Sequence, residues 1–208
     1  MFAPGAGRPV GAAAAVLLVL AALLLVGLLP AGVEVLAPLA VGAALLVFFA
    51  AFFRDPERPI GDGVVSAADG RVRAVDRRGD RWLVSVFMNV TNVHVNRVPI
   101  GGRVLTVGNA GAGFRPAYRP AADHNVQRAY RFDTAIGRVD VVQVTGIVAR
   151  RLVSFVRPGH VLDRGDRFGM IVLGSRVDVL FPADRAEPTV AVGDRVRAGT
   201  TTIARLRS

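Results

Sequence analysis

Neither cysteine nor lysine occurs in this chain of 208 residues, and all 26 of its basic residues are arginine. Without thiols there can be no disulfide, no Cys-ligated zinc or iron–sulfur centre and no cysteine nucleophile. Without an ε-amine there can be no internal aldimine with pyridoxal phosphate, no lipoyl or biotinyl attachment and no Walker-type phosphate loop. Aromatic residues are scarce, at 7% of the chain, and no recognition-helix or RNA-binding signature accompanies them. Nucleic acid is therefore not the expected partner, in spite of a net charge of +10.

Charge is also missing from one end. Between Val10 and Phe53 the only ionisable side chain is Glu34, while 25 of the 26 arginines lie from Arg54 onward. Val10 to Leu29 is an apolar run of 20 residues, and Val35 to Phe53 is a second of 19 that contains Pro38. About 20 apolar residues span a bilayer core as a helix. Residues 1–53 are thus expected to form a membrane anchor of two transmembrane helices, about 10–29 and 35–53, joined by an outer turn carrying Glu34. Arg8 before the first run and Arg54 and Arg58 after the second place both ends on the cytoplasmic side of the cell membrane. A cleaved signal peptide is the weaker alternative, because the first run exceeds an h-region and a second follows it. Spans that dip in from one leaflet are another alternative, since Pro30 and Pro38 flank the turn.

Residues 54–208 are enough for one domain with a real core. They carry 25 Arg against 15 acids, so the whole net charge belongs to them. Attached to a membrane, such a domain meets anionic lipid first. Arg71–Asp76, Trp82–Met88, Arg138–Val144 and Ser175–Phe181 are short, rich in β-branched residues and partly alternating, which predicts strands. Asp69-Gly70, Arg78-Gly-Asp80, Gly101-Gly102 and Arg164-Gly-Asp166 mark turns. The expected fold is mainly β, a compact β-sandwich or barrel-sandwich-like domain. Asn109 to Asn125, with Phe114, Arg115, Tyr118 and Arg119, reads as one long loop. Gly108-Asn-Ala-Gly-Ala-Gly113 lacks the order of a dinucleotide loop, and Asn89-Val-Thr91 matches a glycosylation sequon inside a strand-like run. Val192 to Gly199 has the form of a lipoyl-domain strand–turn–strand unit but no lysine to modify.

The remaining features occur in a fixed order: Phe52-Phe-Arg-Asp-Pro-Glu-Arg58, Ser66-Ala-Ala-Asp-Gly70, Val93-His-Val-Asn-Arg97 before Val-Pro, Ala149-Arg-Arg151, and Phe168-Gly-Met-Ile-Val-Leu-Gly-Ser-Arg-Val-Asp178. In these segments the chain resembles the phosphatidylserine decarboxylases, in their short, archaeal-type form. The resemblance implies a pyruvoyl-dependent carboxy-lyase made as a zymogen. Its Ser175 would attack the carbonyl of Gly174, and the chain would part there into a β chain of 1–174 and an α chain of 175–208. A pyruvoyl group derived from Ser175 would form a Schiff base with phosphatidylserine, releasing CO2 and phosphatidylethanolamine. No pyridoxal phosphate and no metal are expected.

By family position His94 and Asp69 join Ser175 as the implied catalytic residues, since a serine needs a base to act as a nucleophile. Long bacterial relatives carry two His three residues apart, where this chain has His94 and then Arg97. Either His94 serves both processing and decarboxylation, or another group does the processing. His124 and His160 lie in turn-like sequence and read as solvated. Phosphodiester and carboxylate groups favour bidentate arginine. Asn96, Arg97 and Arg115 are the candidate substrate contacts, with Arg150, Arg151 and Arg176 also in or near the matched segments. Phosphatidylserine in an anionic membrane is the expected partner, and a homo-oligomer is compatible with the sequence. Two other readings stand: a non-enzymatic membrane adaptor that binds anionic lipid, and a decarboxylase of an ether-linked phosphoserine lipid.

Overall fold

The computed structural model describes residues 2–4, 7–25, 27, 32–113, 117, 124–146, 151–172 and 175–207. Two compact units divide the chain, Met1–Pro56 and Glu57–Ser208.

The first unit holds two helices, α1 (Gly7–Leu25) and α2 (Val33–Phe52). Leucine, alanine and valine dominate both, residues that form helices readily when one face is packed. The helices meet across small side chains: a Cβ added to Gly42 would lie 3.0 Å from Leu17 Cδ2. Glu34, expected in an outer turn, instead falls in the first turn of α2, after an N-cap at Gly32, and Pro38 stands inside that helix. The expected transmembrane hairpin is not seen. Among the described residues no helix is long and apolar enough to cross a membrane. Both helices are short, 19 and 20 residues.

The second unit is mainly β. Its strands are β1 (Val64–Val65), β2 (Gly70–Arg78), β3 (Arg81–Met88), β4 (Val95–Arg97), β5 (Gly102–Ala110), β6 (Gln127–Thr134) and β7 (Gly137–Thr145). They continue with β8 (Arg151–Ser154), β9 (Val161–Leu162), β10 (Arg167–Val172), β11 (Ser175–Pro182), β12 (Ala186–Pro188), β13 (Arg195–Val196) and β14 (Thr202–Leu206). All four predicted strands are present, as parts of β2, β3, β7 and β11. Eight strands form one curled antiparallel sheet, a half-barrel, in the order β13-β2-β3-β11-β7-β6-β5-β9, with three-stranded sheets β1-β14-β12 and β4-β10-β8 beside it. The expected sandwich is thus realised only as a mainly β unit built on a single curled sheet.

Alternation along the strands decides which residues face the core. Val177, Val179 and Phe181 of β11, Val84 and Val86 of β3, and Val139 and Val141 of β7 are buried. Phe132 and Phe168 join them from other strands, with ring centroids 6.1 Å apart. Burying such side chains contributes roughly 1.5–3 kcal/mol each before the entropy of ordering is subtracted. The β2–β3 hairpin turns through Gly79, whose φ of +64° is one that glycine adopts without cost.

Candidate active site

Ser175 is the first residue of β11, and it has the same parity as Val177, Val179 and Phe181. Strand alternation therefore turns its hydroxyl inward, and the residue is fully buried. It lies between Met88 of β3 and Thr145 of β7 in register. Its Oγ donates to the thioether of Met88 at 3.4 Å, the only side-chain partner it has among the described residues. Met88 and Gln143 occupy inward positions for the same reason, Met88 following Val84 and Val86 and Gln143 following Val139 and Val141.

A chain of buried polar contacts runs outward from that thioether. Asn96 Nδ2 donates to Met88 Sδ at 3.7 Å, Gln143 Nε2 donates to Asn96 Oδ1 at 2.7 Å, and Tyr130 OH donates to Gln143 Oε1 at 3.2 Å. Burial pushes the Tyr130 hydroxyl above its ordinary value of 10.0, which keeps it a donor. Each amide is thereby oriented by its neighbour, and the last donor in the line points at the sulfur that holds Ser175. Gly169 of β10 makes room for the line. A Cβ there would sit 2.7 Å from Val153 O and 3.1 Å from both Gln143 Nε2 and Tyr130 OH.

His94 is fully buried just before β4. Its carbonyl accepts from Ile171 N at 3.3 Å, which brings it beside the end of β10, the strand that leads toward Ser175. Nδ1 lies 2.9 Å from the carbonyl of Asn92. A carbonyl can only accept, so in the neutral ring Nδ1 carries the proton and Nε2 keeps the lone pair. Asp69 is held elsewhere. Its carboxylate pairs with both terminal nitrogens of Arg58, one at 2.9 Å, and accepts the Ala198 N–H at 2.8 Å. Among the described residues it makes no hydrogen bond to His94, whose Nδ1 is oriented by the carbonyl of Asn92.

The other candidates separate. Asn96 belongs to the buried amide line. Arg97 is 4% exposed and donates to Gly165 O at 3.1 Å. Arg176 pairs with Asp178 at 3.0 Å, and Asp178 also accepts from Ser85 Oγ at 2.5 Å. Gly174, Arg115 and Arg150 lie outside the described residues. His124 and His160 are exposed. Among the described residues no cluster of three or more His, Cys, Asp or Glu could hold a metal. A cleft of about 580 Å³ opens beside Asp69 and Asn92, lined also by Phe87, Asn89 and four arginines.

The family model described as phosphatidylserine decarboxylase matches residues 45–204. The chain belongs to the phosphatidylserine decarboxylase family. A phosphatidylserine decarboxylase proenzyme of Thermobifida fusca is 45% identical over 164 residues, 78% of this chain and 75% of the relative. One from Nitratidesulfovibrio vulgaris is 46% identical over 173 residues, 77% of this chain and 79% of the relative. A proenzyme of Halobacterium salinarum, provisionally named an archaetidylserine decarboxylase, is 48% identical over 169 residues, with coverage of 79% and 84%.

Several residues that shape this decarboxylase-family site carry no motif signal. Met88, Tyr130 and Gln143 were not singled out by sequence, although a glutamine at the inward parity of Val139-Asp-Val-Val-Gln143 marks a polar group entering the core. Arg58, in the sequence a flank of an apolar run and the end of a matched segment, holds Asp69 through its guanidinium.

Proposed function

We propose that this chain is a proenzyme that cuts itself before Ser175 and then decarboxylates phosphatidylserine to phosphatidylethanolamine and CO2. The observation that carries the reading is Ser175 itself. In a chain of this family it is buried at the start of a central strand, and among the described residues a thioether is the only side-chain partner of its hydroxyl. Sulfur accepts weakly and donates nothing there, so the oxygen lone pairs stay available for attack.

Self-cleavage is written on the residues present. Ser175 Oγ adds to the carbonyl carbon of Gly174, His94 Nε2 takes the hydroxyl proton, and the acyl group passes from nitrogen to oxygen as the C–N bond breaks. Elimination frees the Gly174 carboxylate and leaves dehydroalanine at position 175. Its hydrolysis consumes one water and releases ammonia, which accounts for all atoms.

The pyruvoyl group so formed supplies the electron sink that α-decarboxylation of an amino acid requires. The surroundings fit it. Met88 is neither acid nor amine, and the chain has no lysine that could condense with a ketone. His94 sits on an element adjoining β10 with its Nε2 able to hold a proton, and the buried sheet face around Ser175 excludes water.

Membrane association is part of the proposal. Leu18 is 71% and Leu25 88% exposed on α1, and such large apolar side chains suit a lipid surface. The catalytic unit then works on the cytoplasmic face of the cell membrane. A second reading keeps the headgroup and changes the lipid, favoured by the likeness to the Halobacterium salinarum protein. Turnover of a lipid panel separates the two.

Intact mass of the purified chain tests the central claim. Wild type yields fragments 1–174 and 175–208, the smaller bearing a carbonyl, and Ser175→Ala stays whole. A wild-type chain that remains uncut sinks the decarboxylase reading in favour of a lipid-binding adaptor.

A further inference from the structure

The arginines of the cleft beside Asp69 have no role in the mechanism above. Arg71 of β2 and Arg195 of β13 are Cα partners in an antiparallel pair. Side chains directly opposite on one face stand roughly 4.5–5.5 Å apart at Cβ, and like charges there are destabilising. Arg73 and Arg197 line the same cleft, alternating with buried Val72 and Val196.

The neighbours do not neutralise them. Arg71 donates to the carbonyl of Gly193 at 3.0 Å, and the Arg73 guanidinium lies 5.4 Å from the Phe87 ring centre. Both partners are uncharged. Arg195 and Arg197 make no side-chain hydrogen bond or ion pair among the described residues. The one carboxylate lining the cleft among the described residues, Asp69, is already paired with Arg58. Asp194, next in sequence, accepts the Ala191 N–H at 2.8 Å in its own turn. Asn89, Thr91 and Asn92 add polar side chains to the rim.

We propose that this cleft is a phosphate-binding site, with Arg71, Arg73, Arg195 and Arg197 as its ligands. An oxyanion placed between the opposed guanidiniums turns their repulsion into charge-assisted hydrogen bonds. The volume of about 580 Å³ accommodates a glycerophosphoserine headgroup or a free phosphate. Assignment to the headgroup rests on the decarboxylase reading, because the cleft is rimmed by Asn92, whose carbonyl orients His94.

The test uses the full-length chain carrying Ser175→Ala, so its outcome is independent of self-cleavage. Failure of wild type to cleave would sink the decarboxylase reading and leave this measurement intact. Thermal melting is followed by the fluorescence of Trp82, the single tryptophan, in inorganic phosphate and in glycerophosphoserine, each against chloride at equal ionic strength. Both ligands are expected to raise the melting temperature. The double substitution Arg195→Gln and Arg197→Gln should weaken the apparent affinity by about tenfold or more, with melting in chloride unchanged or higher. A stronger response to glycerophosphoserine assigns the site to the lipid headgroup, and an equal or weaker one assigns it to free phosphate. No phosphate-specific rise, or a rise that the double variant retains in full, overturns the proposal.

Discussion

Replacing Gln143 by Leu tests the buried line that ends at Ser175. The two side chains are similar in volume, so packing changes little. What changes is hydrogen bonding: Asn96 Oδ1 loses a donor at 2.7 Å and Tyr130 OH loses an acceptor at 3.2 Å. Both residues are fully buried, so water cannot replace the lost partner. An orphaned buried polar group costs about 1–3 kcal/mol, and the longer Tyr130 contact belongs at the low end. The expected destabilisation is about 2–4 kcal/mol, a large part of a total that is typically about 5–15 kcal/mol. Urea unfolding of full-length Ser175→Ala chains, followed through Trp82, reads that change within the β unit. Tyr130→Phe alone should cost about 1 kcal/mol, and adding it to Gln143→Leu should cost less than the sum, because the orphaned hydroxyl is gone. Freed from Gln143, the Asn96 amide no longer has to point at Met88, so the chain with Ser175 intact should also cleave more slowly. A shift under about 0.5 kcal/mol together with unchanged cleavage would refute the idea that these residues act as one line.

Two further outcomes are expected. Gly169→Ala places a Cβ 2.7 Å from Val153 O and 3.1 Å from Gln143 Nε2; overpacking of this kind costs about 1–3 kcal/mol, and self-cleavage should slow with it in a mass-resolved time course. Asp140 gives an acid-side signal. Burial pushes its carboxyl up, but hydrogen bonds from Arg138 and Arg81, each 2.6 Å at the closest, and their charges more than reverse this, leaving it below its ordinary value of 3.8. A carboxyl lowered in the folded state adds stability above its unfolded value and loses it as the pH falls through the folded one. Wild type should therefore lose urea resistance below about pH 4, and Asp140→Asn should be less stable near neutrality and less sensitive to acid. An acid limb of equal steepness in both chains would remove Asp140 from the account.

The mainly β character, the four strands around Asp76, Met88, Val144 and Phe181, and the family were legible in the chain because period-2 patterning and ordered motifs are local properties. The inward parity of Ser175 was legible too, since it leads a strand whose next inward residues are valines. Span length was harder to judge. Hydropathy counts apolar residues without marking where a helix such as α1 (Gly7–Leu25) begins and ends.

Absent lysine and cysteine excluded whole chemistries by composition alone, and the motif order placed the family. Those conclusions need no three-dimensional information, because a residue type that is missing cannot be supplied by folding. Partners are another matter, since they depend on register between strands far apart in sequence. Only the folded sheet set Met88 against Ser175, withdrew Asn96 and Arg97 into the interior, and paired Asp69 with Arg58. The same pairing of β2 with β13 brought Arg71 opposite Arg195. Arginines scattered along a basic chain became a concentrated charge there, because antiparallel pairing joins residues 124 positions apart.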